Sequence, residues 1–334
     1  MIHLHPKSDV YVVCPANSAT GGPELLHQLA FKLRCMGVRA SMYYFNAATE
    51  YPVHPNYRSY AVPFVKTIEN LPEHWIIFPE TALNHLSNKA WNRLQKVIWW
   101  LSIDNYFLKV KQSKKSILSQ INAYLHGKQG ALSMPSLAEL FQQDHLYHLA
   151  QSAYAIDFLN QKGFQNTAYL SDYLNPVFLE ESGKIDLNKK KDQVLYNPKK
   201  GFEFTQKLMA AAPELNWIAL ENMTPKQVAD TLAESKVYID FGQHPGKDRF
   251  PREAAVMGCC VITGKRGSAA FEEDLHLPKG FKFDDAEAEI PNILAKITCC
   301  LTDFDRQQSQ FADYIEKIKL EESKFDEDLK NLFK

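Results

Sequence analysis

Short continuous apolar runs alternate along the chain with stretches in which apolar residues recur every three or four positions. A continuous run suits a strand buried on both faces of a parallel sheet, and the longer period suits an amphipathic helix. "DVYVVCP" predicts the first strand. "GGPELLHQLAFKLRCMG" predicts the helix after it, with Leu25, Leu26, Leu29, Phe31, Leu33 and Met36 mostly on one face and Gly37 as its stop. "ASMYYF", "HWIIFPE" and "KVIWWLS" predict three more strands, with a helix over "ALNHLSNKAWNRLQ" between the last two. "YAIDFLNQKGF" predicts a further helix with a glycine stop.

The alternation breaks over residues 175–192, where "NPVFLEESGKIDLNKKKDQ" is polar and lysine-rich, as a linker is. It restarts with strands at "QVLYNP", "NWIAL", "KVYIDF" and "CCVIT". Helices at "KGFEFTQKLMAAAP", "TPKQVADTLAES" and "PREAAVMG" lie between them, and a charged helical segment runs from Ile290 to Lys334. The expectation is an α/β protein of two tandem units, residues 1–175 and 190–334.

Composition narrows the class. The chain has 334 residues, 45% of them hydrophobic and 23% charged, with a net charge of −1, which argues against bulk electrostatic binding of nucleic acid. Residues 1–170 hold 15 Lys and Arg against 10 Asp and Glu, and the remainder holds 23 against 29. A basic N-terminal half could favour an anionic membrane surface or acceptor, although such an excess also falls within ordinary scatter. Cys14, Cys35, Cys259, Cys260, Cys299 and Cys300 form no CxxC pair, so a zinc site is not expected and reduced thiols are. The first residues, "MIHLHPKSDV", carry no signal-peptide core, and "VIWWL" is too short to span a bilayer. These features predict a cytoplasmic protein with at most a peripheral contact at the inner face of the membrane.

Three motifs carry candidate chemistry. In "CPANSATGGPELL", Gly21 and Gly22 let backbone N–H groups at a helix N-terminus approach an anion, though an ordinary glycine turn has the same pattern. In "LYNPKKGFEF", Lys199 and Lys200 precede a helix whose dipole they oppose, an arrangement that a bound anion would relieve and that a solvated lysine pair also produces. The third is "DFGQHPGKDRFPRE". Asp240 ends a strand there, so Lys247, Arg249 and Arg252 fall in the crevice at the carboxyl ends of the strands, where they can face phosphate oxygens. Glu253 can accept two hydroxyl hydrogen bonds from a ribose. A loop in which Asp248 and Glu253 neutralise the arginines is the competing account.

In this order the motifs resemble those of GT-B glycosyltransferases, especially the glycogen-synthase-like GT4-type group (glycosyl transferases group 1). "ATGGPELLHQLAFKLRCMGVRASMYY" resembles the family's glycine loop and first helix, and "SAYAIDFLNQKGFQNTAYLSDYLN" the segment leading into its linker. "FPREAAVMGCCVI" is similar to "LPxxEAMAxGxPVI". The resemblance implies two tandem Rossmann-like domains with a cleft between them, the first binding acceptor and the second a nucleotide-sugar donor. It places Glu253 on the donor ribose, Lys199 or Lys200 near the diphosphate, and Gly21 and Gly22 beside the donor phosphate and sugar. Eight residues before Glu253, where the family has its first glutamate, this chain has Pro245 beside His244. A His-Pro pair resembles the phosphate-binding motif of bacterial sialyltransferases and Kdo transferases, so a cytidine-monophosphate sugar is an alternative donor.

The implied function is sugar transfer to a saccharide or lipid-linked acceptor in bacterial surface polysaccharide synthesis. No DxD motif appears in the candidate loops, so no metal or other cofactor is expected. Cations and N–H dipoles would stabilise the departing phosphate. Asp104, after "VIWWLS", is the first candidate base and Glu80, after "WIIFP", the second, with His244 a further catalytic candidate. A capping role for Asp104 is as common. Trp99 and Trp100 fit a core better than a sugar platform. A different GT-B enzyme, such as an epimerase, or a non-catalytic sugar-nucleotide module are the rival classes.

Overall fold

The computed structural model describes residues 1–47, 49–113 and 133–334. They divide into two compact units, Met1–Ser171 with Asp326–Lys334, and Asp172–Phe325.

Unit 1 is a seven-stranded parallel sheet. Its strands are β1 (Asp9–Pro15), β2 (Arg39–Phe45), β3 (Phe64–Val65), β4 (Trp75–Pro79), β5 (Gln95–Trp100), β6 (Tyr147–Ala150) and β7 (Thr167–Tyr169). The spatial order is β3-β2-β1-β4-β5-β6-β7. The order reverses between β1 and β4, which makes that gap the topological switch point. Continuous apolar runs form β1, β4 and β5 because both faces of the sheet are covered: Val10, Val12, Ile76, Ile77, Val97 and Ile98 are fully buried. Trp99 and Trp100 are also core residues, their indole N–H groups donating to the Leu170 carbonyl at 3.0 Å and to His148 Nδ1 at 3.1 Å.

Helix α1 (Gly21–Cys35) follows β1. The helix expected over "ALNHLSNKAWNRLQ" is instead two 3-10 turns, Glu80–His85 and Lys89–Trp91. Asn88 accounts for the break, since its side chain accepts the Ala90 N–H and caps a new turn in place of continuing an old one. Helix α2 covers residues 103–113 and α3 covers Leu137–Phe141. Next comes α4 (Ala153–Gln161), capped by Ser152 and followed by Gly163 at φ +78°.

Unit 2 has a four-stranded parallel sheet. It uses β8 (Lys191–Tyr196), β9 (Trp217–Ala219), β10 (Ser235–Asp240) and β12 (Cys260–Thr263) in the order β12-β10-β8-β9. A two-stranded ladder joins β11 (Gln243–His244) to β13 (Arg266–Gly267). The reversal falls between β8 and β10, so unit 2 also has a switch point beside its first strand, although only one strand, β9, lies on the far side where unit 1 has two. Helices α5 (Pro176–Ser182), α6 (Phe202–Ala211), α7 (Pro225–Glu234), α8 (Arg249–Val256), α9 (Ile290–Thr302), α10 (Phe304–Ser309), α11 (Ala312–Lys319) and α12 (Glu321–Leu332) complete the order.

The stretch 175–192 is more built than its composition suggests. It holds α5, with Phe178 buried, and the buried Lys190. The Lys190 ammonium donates to the carbonyls of Leu232, Ser235 and Met257, each at 2.8 Å. Leu232 and Met257 close α7 and α8, so one lysine satisfies carbonyls that two helix ends leave open.

Candidate donor and base sites

In unit 2 the loops after β8, β10 and β12 meet at the switch point. Two glycines permit the first approach. A Cβ on Gly201 would lie 2.0 Å from the Phe241 carbonyl oxygen, and one on Gly242 would lie 2.8 Å from the Gly201 Cα. Both have positive φ, +60° and +106°, where side chains are strained. Gly267, at φ +64°, brings the third loop against His244 in the same way.

The loops enclose a cavity of about 550 Å³ between Lys199, Phe202, Gln243, Arg266 and Asp285. Lys207 from α6 also lines it. Asp285 accepts the Gly242 N–H at 2.8 Å and pairs with Arg266, fixing the two loops to each other.

Beside this cavity lies a partly buried ionic cluster. The Lys200 ammonium is 2.8 Å from Asp240 Oδ1, 2.5 Å from Asp248 Oδ2 and 3.2 Å from His244 Nδ1. Burial alone would push the Lys200 amine down, but Asp240 and Asp248 more than offset that and hold it above its ordinary value. Burial likewise opposes ionisation of Asp248, and the Lys200 charge and the His244 hydrogen bond overcome it, holding the carboxyl well below the usual range. Asp240, His244 and Asp248 have the composition of a metal-ligand set, but any cation would have to displace the Lys200 ammonium from among them.

Asp248 is the N-cap residue of α8, yet its side chain makes no cap hydrogen bond. It is spent on Lys200 and His244, which leaves the first N–H groups of α8 without a side-chain acceptor from that residue.

The other expected donor residues separate into two groups. Lys199 is exposed on the cavity wall and Arg249 is half-buried at the first position of α8. Arg252, expected to face phosphate, is instead completely buried, with its guanidinium 2.7 Å from both Asp172 and Glu321. Lys247 is 2.8 Å from Glu321 and has little exposed surface. These two cations hold α8 to the first and last segments of the unit. Glu253 is buried in α8 and raises the nearby Tyr238 phenol together with Asp240 and Asp248, after the larger effect of burial. His244 is buried with Nδ1 2.7 Å from Asp248 and Nε2 3.3 Å from the Asp240 carbonyl. Both ring nitrogens therefore face oxygens of the protein interior, which makes the ring a brace for the loop and not a presented base.

Unit 1 gathers a second set at its own switch point. The Glu80 carboxylate accepts the Leu101 N–H at 3.0 Å, and Gly22 packs within 3.5 Å of Leu101 by its Cβ position. Glu80 is fully buried with no cation beside it, so desolvation raises its carboxyl to about 8 against the pull of backbone N–H groups. Asp104 lies in the first turns of α2 and accepts the Tyr154 hydroxyl at 3.0 Å. The N-terminus of α1 is held by His27. Its Nδ1 is 2.6 Å from the Pro23 carbonyl, which can only accept, so Nδ1 carries the proton and Nε2 accepts the Tyr44 hydroxyl at 2.7 Å. Burial pushes this imidazole down, keeping it neutral.

Asp9, Glu69 and His74 also form a metal-like group, at the other end of β1. His74 Nδ1 accepts the Asp9 N–H at 3.0 Å, so a neutral ring holds its proton on Nε2, facing Asp9 and Glu69 at 3.6 and 3.7 Å. That proton takes the lone pair a metal would need.

Arg266, Asp285 and Lys207 were not singled out by sequence. The signal for Arg266 was present in "TGKRG", two glycines bracketing cations directly after a buried strand.

No protein-family model matches the chain, and no curated protein matches it in sequence. Solved structures do match in fold. Sucrose-phosphate synthase from Thermosynechococcus elongatus covers 98% of this chain and 98% of its own, with 11% identity and a TM-score of 0.64. Anabaena HepE in complex with UDP covers 97% and 99%, with 12% identity and a TM-score of 0.58. A glycosyltransferase from Rickettsia africae covers 98% and 100%, with 12% identity and a TM-score of 0.59. The fold is the GT-B fold, two Rossmann-like units, as the order of motifs implied.

Proposed function

We propose that the protein is a glycosyltransferase that takes a sugar from a nucleotide-sugar donor held at the switch point of unit 2. The observation that carries the reading is that the N-terminus of α6, whose N-cap Gly201 supplies no side-chain hydrogen bond, opens on a cavity lined by Lys199, Lys207 and Arg266, where Gly201 and Gly242 let the loops after β8 and β10 approach closely. Backbone N–H groups of α6 with Lys199 and Arg266 offer a diphosphate what a departing phosphate needs in transfer chemistry, and Arg249 stays a candidate from the sequence alone. Lys200 contributes to the field from within, neutralised on two sides. Gly21 and Gly22 remain donor candidates from the family pattern.

A uridine diphosphate sugar is the first donor to test, because HepE has been solved with UDP and with UDP-glucose on the same fold. The acceptor is proposed to be a saccharide or lipid-linked saccharide of bacterial surface polysaccharide synthesis, handled at the inner face of the membrane. No described helix is long and apolar enough to cross a membrane. Glu80 and Asp104 remain the candidates for acceptor deprotonation. With its carboxyl raised to about 8, Glu80 would act as a base only from its ionised form, whose share grows as pH rises toward 8.

Titration calorimetry with UDP, uridine and inorganic phosphate on the wild type and on Lys199→Ala with Arg266→Ala tests this. The expected result is binding of UDP that the double substitution weakens at least tenfold while leaving uridine unaffected. Absence of UDP binding, or equal losses for UDP and uridine, would overturn the reading of this cavity.

A further inference from the structure

Helix α2 carries more apolar surface than its packing uses. Ile103 and Tyr106 are buried and Val110 is half-buried, the inward stripe that a spacing of three and four provides. The Tyr106 hydroxyl donates to the Pro135 carbonyl at 2.8 Å. Phe107 and Leu108 lie outside that stripe and are 42% and 55% exposed. Phe141, which ends α3, is 52% exposed. Among the described residues these are three of the seven exposed large hydrophobics. Phe107 and Phe141 also border one helix. Phe107 meets the Phe158 ring of α4 edge-on at 5.7 Å, and Phe141 lies 3.6 Å from the Cβ position of Gly163, just beyond α4.

The independent observation is charge. From Asn105 to Ser113, α2 has two lysines, Lys109 and Lys111, and no carboxylate, and both lysines are exposed. Lys111 follows Phe107 and Leu108 by one helical turn, so it shares their face. Lys162, at the end of α4, is exposed too, with its ammonium 5.8 Å from the centre of the Phe158 ring. The carboxylates of these helices are turned to the protein's own donors. Asp104 accepts the Tyr154 hydroxyl, Glu139 closes a capping box at Ser136, and Asp157 accepts the Gln161 amide. The core of a protein interface is depleted in lysine. Exposed apolar side chains among lysines, in a half of the chain with a basic excess, instead match the boundary of an anionic bilayer. Apolar groups enter the acyl region there, and long cations reach back to the headgroups.

We propose that the face of unit 1 formed by Phe107, Leu108, Lys109, Lys111 and Phe141 rests on a bilayer rich in anionic lipid. This deepens the reading of an acceptor handled at a membrane and rests on that reading; the donor cavity takes no part in it.

Co-sedimentation of the full chain with vesicles, no donor present, tests the proposal separately from the UDP titration. Vesicles of equal parts phosphatidylglycerol and phosphatidylcholine are expected to bind at least tenfold more tightly than phosphatidylcholine alone, and added salt to weaken that binding. Phe107→Ser with Leu108→Ser is expected to weaken it at least fivefold, and Lys109→Gln with Lys111→Gln at least threefold, with thermal unfolding used to check that both variants fold. Phe141→Ser, on a separate helix, is expected to weaken it at least twofold and serves should the first pair fail to fold. Leu320→Ser, an exposed apolar change in unit 2, is expected to leave binding as it is. The proposal is overturned if anionic vesicles do not bind, if neutral vesicles bind as well, or if Leu320→Ser weakens binding as much as the serine changes in unit 1. Anionic vesicle binding that survives the substitutions in unit 1 would keep the membrane reading and overturn this face. A dimer formed without lipid and abolished by the same serine changes would assign the face to a second copy of the chain and overturn the proposal as well.

Discussion

At the switch point of unit 1 two buried groups, Glu80 and His27, are held neutral, and at the switch point of unit 2 Lys200 and Asp248 are held charged. Glu80 and His27 are buried without a counter-charge, so desolvation decides, raising the carboxyl to about 8 and pushing the imidazole down. Partly buried Lys200 and Asp248 pack against buried Asp240, so mutual attraction decides and the amine and Asp248 move toward their ionised forms. Both sheets have a switch point beside their first strand, yet one places there a carboxyl that titrates near neutral pH and the other a fixed field suited to an anion. Strand order determines where chemistry is placed, and the pairing of charges determines which chemistry it is.

Removing the cation from unit 2 tests this contrast most severely. Lys200→Met would leave Asp240 and Asp248 adjacent without a counter-charge, a loss on the order of 3–5 kcal/mol. Asp248 has a depressed folded value, so its contribution is present above the ordinary carboxylate range and is lost as pH falls through that depressed value. The deficit of Lys200→Met should therefore narrow as the buffer is taken below about pH 4. Denaturant unfolding at several pH values gives the answer, and a deficit that does not change with pH would mean packing, not charge, is what Lys200 supplies.

Close loop approach separates the units next. Gly201→Ala sets a Cβ 2.0 Å from a carbonyl at positive φ, for an expected cost of about 2–4 kcal/mol. Gly22→Ala meets only the Leu101 side chain, at 3.5 Å, and should change stability by less than about 0.5 kcal/mol. Thermal unfolding of the two variants side by side should show a lower midpoint for the first alone.

Glu80→Gln probes the neutral side. Glu80 has a folded value raised above its unfolded one, so its favourable contribution is complete below the ordinary carboxylate range and is lost as pH rises toward 8. Across that window the wild type should lose about 1.4 kcal/mol per pH unit from this group alone, and Glu80→Gln should remove that slope. A glutamine oxygen can still accept the Leu101 N–H, so the comparison isolates the proton. Parallel pH profiles would show that Glu80 is ionised throughout and that the contrast between the units is false.

Much of the fold was legible because continuous apolar runs and glycine stops report on sheet burial and helix ends, which are local. The failure at "ALNHLSNKAWNRLQ" was also local in cause: Asn88 caps a turn that helical periodicity cannot see. The site was less legible because a charged residue next to a helix reads the same whether it faces solvent or a distant partner. Arg252 and Lys247 are committed to Glu321, some seventy residues away in sequence, and Arg252 also to Asp172. Nothing in "GKDRFPRE" distinguishes them from Arg249. Lys190 was read as part of a polar linker for the same reason, since the three carbonyls it satisfies come from segments that only the fold brings together.

Arg249 gives the smallest and most specific test. It stands at the first position of α8, where the Asp248 side chain does not cap the helix, and it is half-buried. A phosphate at that helix end would gain from the N–H groups whether or not Arg249 is present, so the side chain adds to an existing site. Arg249→Ala should then cost on the order of 1 kcal/mol in UDP affinity, with the loss shrinking as salt is raised because a half-exposed pair is screened. Uridine, which carries no phosphate, should bind the variant and the wild type alike. Titration at low and high ionic strength reads both effects in one experiment. A loss for UDP that is insensitive to salt and matched by uridine would show that Arg249 holds the loop in shape, leaving Lys199, Arg266 and the N–H groups at the start of α6 as the anion contacts of unit 2.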